Sequence, residues 1–168
     1  MSSHPVGAVL QAGDTETLYR RAGAGPSVLI LCNGALAEPL GGRLFERLAV
    51  RFRVVATALP DGDAGRELLA TWLGDVLEGL GLVQPSLVLD ATLADALLGD
   101  ALAPEAFAGV VAVVGAGPQA DATAVRASAA LPGALIVPLD PGDVDAVAAS
   151  AATAMKGFLA GELVPSRC

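Results

Sequence analysis

The sequence predicts an α/β domain, a three-layer sandwich in which a mostly parallel sheet of about six strands carries helices on both faces. Three observations predict it. Short β-rich apolar runs alternate with stretches of helical periodicity, the pattern of a parallel sheet covered by its crossover helices. Five of the six runs are continuously apolar rather than alternating, as strands buried on both faces are. The length, 168 residues, suits one domain that removes about two thirds of its unfolded surface from water. A single domain over residues 1–168 is therefore expected.

The elements follow in order. The start, MSSHPVGAVLQAGD, is polar at its head, and residues 1–13 are expected to be poorly ordered. Strands are read at Thr17–Arg21, Ser27–Cys32 and Arg53–Ala58. Arg66–Gly81 reads as a helix lying flat on the sheet, because Leu68, Leu69, Trp72, Leu73, Val76, Leu77 and Leu80 recur at three- and four-residue steps. Further strands are read at Ser86–Asp90, Gly109–Val114 and Ala134–Leu139, with a thinly packed, alanine-rich helix at Ala120–Ala130. The last helix starts after Pro141-Gly142 with Asp143 at the N-cap, and sets Val144, Val147, Ala151, Met155 and Phe158 on one stripe.

Composition excludes several classes. Hydrophobic residues make up 54% and charged ones 17%, which excludes disorder over most of the length. A formal net charge of -8 repels phosphate backbones and anionic lipid heads, so neither nucleic acid nor a membrane surface is an expected partner. No apolar run reaches the roughly 18 residues of a spanning helix, and the start lacks a basic segment leading into an apolar one. Cys32 and Cys168 suggest neither a disulfide framework nor a zinc site, so reduced thiols, a cytoplasmic location and no metal or other cofactor are expected. Nine arginines against one lysine, beside heavy Ala and Gly use, hint at GC-rich bacterial coding. His4 is the sole histidine, which leaves no base for a buried Ser-His-Asp triad.

Read together, the segments from Asp14 to Pro118 resemble the α/β-hydrolase fold. GDTETLYRRAGAGPSVLILCNG is similar to that family's opening strand, Gly-rich turn and strand leading to the oxyanion loop, with Asn33-Gly34 where His-Gly is usual. FERLAVRFRVVATALPDGDAG resembles its next helix, strand and turn, with Ala58-Leu59-Pro60 where Asp-Leu-Pro is usual. TWLGDVLEGLGLVQPSLVLDA resembles the helix that leads into the nucleophile strand. There the family carries G-x-S-x-G, a strained strand-to-helix turn that lifts a serine hydroxyl above the sheet. This chain reads Leu89-Asp90-Ala91-Thr92-Leu93, with alanine in the nucleophile position, leucines for both glycines and Thr92 one position out of register. The family histidine follows a final strand, whereas here GELVPSRC follows the last helix. Only about twenty residues separate Val114 from Ala134, too few for the family's inserted cap domain. The resemblance thus implies a minimal core without hydrolytic machinery.

The remaining polar groups define the candidate site. Asp90 ends a central strand at the edge where open α/β sheets bind ligands, so its carboxylate can act on a ligand or merely cap a turn. Asn33, in the oxyanion-loop position, can hold a carbonyl through its amide or close a local turn. Gly34, Ala35, Ala91, Thr92 and Asp140 complete the expected binding rim, although Asp140 also explains itself by the Pro-Gly turn it precedes. Cys32 lacks a histidine or lysine nearby in sequence to activate it, and reads as a small core residue. Gly115-Ala116-Gly117-Pro118-Gln119-Ala120 matches the G-x-G-x-x-A pattern of a dinucleotide-binding turn, with Asp140 near the place of a ribose-binding acid.

Three functional readings follow. The first is a catalytically degenerate hydrolase-like protein with a pocket for an apolar small molecule, acting as a non-hydrolytic cyclase or isomerase or as an accessory protein in bacterial biosynthesis. The second is a non-enzymatic homo-oligomer or partner subunit whose apolar surface another chain covers. The third is dinucleotide binding through residues 115–120.

Overall fold

A computed structural model describes residues 6–12, 15–32, 36, 40–58, 66–93, 107–115, 118–130, 134–139 and 143–159. Seven strands form one sheet: β1 Val6–Ala12, β2 Thr15–Ala22, β3 Ser27–Leu31, β4 Arg53–Thr57, β5 Ser86–Asp90, β6 Gly109–Val114 and β7 Leu135–Pro138. Their order is β1-β2-β4-β3-β5-β6-β7. From β4 to β7 each neighbouring pair is parallel, while β1 and β2 join one edge by antiparallel pairing.

Six strands lie within two residues of their sequence-predicted limits; the seventh, β1, corrects the expectation that residues 1–13 are poorly ordered. Val6–Ala12 pairs along its whole length with β2, from Val6 opposite Arg21 to Ala12 opposite Thr15. Only Gly13 and Asp14 separate the two strands, the commonest spacing of a hairpin. An antiparallel edge strand need not be apolar on both faces, so it lacks the continuous run by which the inner strands announce themselves.

Among the described residues the helices are α1 Leu40–Leu48, α2 Arg66–Gly79, α3 Ala120–Ala130 and α4 Val144–Leu159, and a 3-10 turn at Ala91–Leu93 follows β5. Successive residues of a strand point to opposite faces, and here they supply two separate cores. Leu29, Leu31, Leu87, Leu89, Ala112 and Val114 pack beneath Trp72, Leu73 and Val76 of α2, with Ala120 and Ala124 of α3 at the margin. Val28, Ile30, Val54, Val88, Val111 and Val113 face the other way, onto Leu44, Phe45 and Leu48 of α1 and Ala151, Ala152 and Met155 of α4. The expected stripe of α4 is thus met at Ala151 and Met155, with Val147 half-buried. Asp143 stands at its N-cap, its carbonyl accepting the Val147 N–H at 2.9 Å.

Helix ends are closed by specific bonds. At the end of α2 the Leu82 N–H donates to the Leu77 carbonyl at 2.9 Å and the Gly81 N–H to the Glu78 carbonyl at 3.1 Å, with Gly81 at φ 65°. That pair of bonds around a left-handed glycine is a Schellman motif, and it turns the chain back toward β5. Gly23 is left-handed for another reason. Its φ is 83°, and a Cβ there would run into the backbone carbonyl oxygens of Phe52 and Ala49, because the β2–β3 turn rests on the turn between α1 and β4. Between the helices of one face, Arg43 of α1 reaches Asp145 of α4 at 3.3 Å, with both side chains more than half exposed.

Four substitutions check this packing. Gly81→Ala, strained at φ 65° but in open space, is expected to lower unfolding free energy by about 1–2 kcal/mol, whereas Gly23→Ala adds a backbone clash and should cost clearly more in the same urea titration. Met155→Ala removes a fully buried side chain and should cost about 2–5 kcal/mol. Arg43→Ala, which breaks only the exposed ion pairs to Asp145 and Glu46, should cost no more than about 1 kcal/mol.

Candidate functional site

The site is built at the C-terminal edge of the parallel strands, where β5 gives way to a turn. β5 is buried from Leu87 onward because α-helical layers cover both its faces, and this buries its last residue too: Asp90 is 5% exposed. Its Oδ1 accepts the Thr92 backbone N–H at 2.7 Å and the Thr92 hydroxyl at 2.5 Å. The carboxylate therefore ties down the first turn after the strand, as N-capping side chains do. Ala91 is 6% exposed and packs into the core beneath α2, while Thr92 is exposed. The positions Asp90, Ala91 and Thr92, expected from sequence, are thus brought together in one turn.

That turn is relaxed. Among the described residues Gln84, at φ 47°, is the one non-glycine with a left-handed backbone, so none of Asp90–Leu93 is strained in that way. The chain leaves β5 through a 3-10 turn instead.

Sheet register determines what stands beside Asp90. It pairs with Val113 on β6, and it has the same parity as Val88, which faces α1 and α4. On the other side Ile30 pairs with Val88, the last pair of the β3–β5 ladder, and Cys32 follows β3 with the parity of Ile30. Cys32 is half-buried against the same core, and its backbone N–H donates to the Thr57 carbonyl at 2.8 Å. Its thiol lies beside the start of α1, with Sγ 3.3 Å from where a Cβ on Gly41 would sit. Thr57 ends β4 opposite Leu31 and is 3% exposed. Thr57 has the parity of Val55 and Leu31 and so faces the α2 side of the sheet, whereas Cys32 and Asp90 share the parity of Ile30 and Val88 on the α1 and α4 side. Sequence reasoning misses Thr57, although it is the polar residue closing the otherwise apolar run VVAT.

Asn33, Gly34, Ala35 and Asp140 lie outside the described residues. Of the dinucleotide-like motif, Gly115 follows β6 directly and Pro118-Gln119 lead into α3, while Ala116 and Gly117 lie outside the described residues. A concavity of about 510 Å³ lies away from this edge, lined by Ala124, Val125 and Ala129 of α3 and Ile136 of β7. Among the described residues no group of three His, Cys, Asp or Glu converges as a metal site would require, and no helix is long and apolar enough to cross a membrane.

No family model matches the chain, and no curated protein matches its sequence. Solved structures do match its fold. Carboxylesterase CesB (YbfK) from Bacillus subtilis superposes with a TM-score of 0.67 at 13% identity, covering 96% of this chain and 93% of that one. Naproxen esterase (carboxylesterase NP) from the same organism gives 0.65 at 11% identity, covering 93% and 92%. A putative α/β hydrolase, ALR0039 from Nostoc sp. PCC 7120, gives 0.55 at 20% identity over 66% of this chain. The chain spans 40 to 43% of the length of that hydrolase and of two further bacterial proteins it matches. At such identities the likeness speaks for architecture, and with the strand order above and β6 joined to β7 through α3 it shows that this chain has an α/β-hydrolase fold without a cap domain.

Proposed function

We propose that this protein uses the hydrolase fold to bind an apolar small molecule at the C-terminal edge of its sheet, without an acyl-enzyme step at the turn after β5. The observation that carries the reading is the Asp90–Thr92 turn. A nucleophile elbow requires a strained residue presenting a hydroxyl, whereas here a buried alanine occupies that place and the turn is capped by a carboxylate. The sole histidine, His4, precedes β1 in the sequence, whereas the base of that family follows a late strand. What the edge retains is a buried carboxylate held by Thr92, with Cys32 ending β3 on the same face of the sheet.

Those groups suit binding, or a cyclisation or isomerisation that asks mainly for positioning. Holding reacting atoms in place can lower a barrier by up to roughly 7–11 kcal/mol, and Asp90 is placed to orient or exchange a proton with a polar atom of the ligand. A dinucleotide is the weaker reading. The strand, turn and helix around residues 115–120 have the right local order, but Asp121 lies in the first turn of α3, where it opposes a pyrophosphate at the helix N-terminus.

The test is native mass spectrometry of the protein as purified, beside Asp90→Asn. Asparagine keeps an oxygen for the Thr92 N–H, so its stability should stay within about 1–2 kcal/mol of wild type. Wild type is expected to retain an apolar metabolite that Asp90→Asn loses. Equal retention by both, or a retained nucleotide, would count against the proposal. Asp90→Ala, which leaves the Thr92 N–H without its acceptor, should lower unfolding free energy by about 0.5–2 kcal/mol.

A further inference from the structure

The exposed side of α3 is built like a short dimerisation seam. At 100° per residue, Ala122, Val125 and Ala129 fall within an arc of about 60°, with Asp121 and Arg126 about 70° to either side of its centre. All five are exposed, Val125 to 70%, while Ala120 and Ala124 on the opposite side pack toward the core. In heptad terms the stripe reads a, d, a, flanked by an acid at g and a base at the following e. Neither Asp121 nor Arg126 forms an ion pair among the described residues. The stripe continues into the concavity of about 510 Å³ lined by Ala124, Val125, Ala129 and Ile136, beside the edge strand β7.

We propose that α3 is the face on which a second copy of this chain docks, about a two-fold axis parallel to the helix. The charges select both the occupant and the orientation. When two copies lie parallel, the g position of one helix meets the next e position of the other, so Asp121 meets the partner's Arg126 and Arg126 meets the partner's Asp121. An antiparallel pairing would put g against g and e against e, setting like charges together. The complementarity is thus of the chain with itself, as an isologous interface requires. Alanine at both a positions lets the backbones approach closely, and Val125 of each copy covers the apolar floor that Ile136 leaves half-open. Although α3 also packs against the Ala91–Leu93 turn, the residues of the seam are not those proposed to hold the small molecule, and self-association is measured without it.

Sedimentation velocity over a concentration series tests it, with circular dichroism confirming that each variant is folded. Wild type is expected to dimerise, and Val125→Glu to sediment as a folded monomer. Asp121→Arg and Arg126→Asp should each raise the dimer Kd about tenfold, because two exposed pairs are turned repulsive at once. The double variant Asp121→Arg/Arg126→Asp should return to within about threefold of wild type, a recovery that loss of helix stability alone would not produce. A monomeric wild type at about 100 μM, a dimer indifferent to Val125→Glu, or no recovery in the double variant would overturn the proposal. So would a monomer whose groove binds 1-anilinonaphthalene-8-sulfonate in a Val125-dependent manner, which would assign the concavity to a small apolar ligand.

Discussion

The structure depends on strands that are buried on both faces at once. β3, β5 and β6 are enclosed from their second residue onward, and each contributes alternate side chains to two different cores. A shift of one residue in any of them would exchange residues such as Leu87 and Leu89 with Val88, and put the wrong volumes under α2 and α1 together. Register is therefore fixed more tightly than in a sheet with one wet face. That rigidity is what gives the strand ends definite positions, and the burial of Asp90 at the end of β5, opposite Val113, follows from it.

At the C-terminal edge the same constraint meets a different local sequence. An elbow that presents a nucleophile stores backbone strain, which the surrounding packing must hold in place. Asp90-Ala91-Thr92 replaces that strain by satisfaction: a buried carboxylate takes both the N–H and the hydroxyl of Thr92, and Ala91 adds its methyl to the core. The turn is thereby better suited to holding a fixed acceptor than to launching an attack.

Much of this is legible in the residues, and the reasons differ by element. Continuous apolar runs such as VLIL and GVVAVV mark β3 and β6 because double burial leaves no polar alternation. Leu80-Gly81-Leu82 marks the end of α2 because a Schellman turn needs a left-handed residue, which glycine adopts at little cost. β1 is hard to see in the sequence, since an edge strand is specified by its partner more than by its own composition. In the site, Asp90 is visible as the polar end of a buried run, while its bonds to Thr92, two residues on, follow from the 3-10 turn that the chain takes after β5. The stripe on α3 reads in sequence merely as an alanine-rich, thinly packed helix; its meaning emerges once Ala124 and Val125 are seen to face different ways.

The proposed edge site rests on burial and the proposed seam on the surface pattern of α3. A reagent that phosphorylates activated hydroxyls separates the proposed edge site from one of ordinary hydrolysis. Incubation of the folded protein with an alkyl fluorophosphonate, followed by intact mass measurement, is predicted to leave the chain unmodified. A stoichiometric phosphonyl adduct on Thr92 would contradict it, since it would mean that the turn after β5 presents a reactive nucleophile after all.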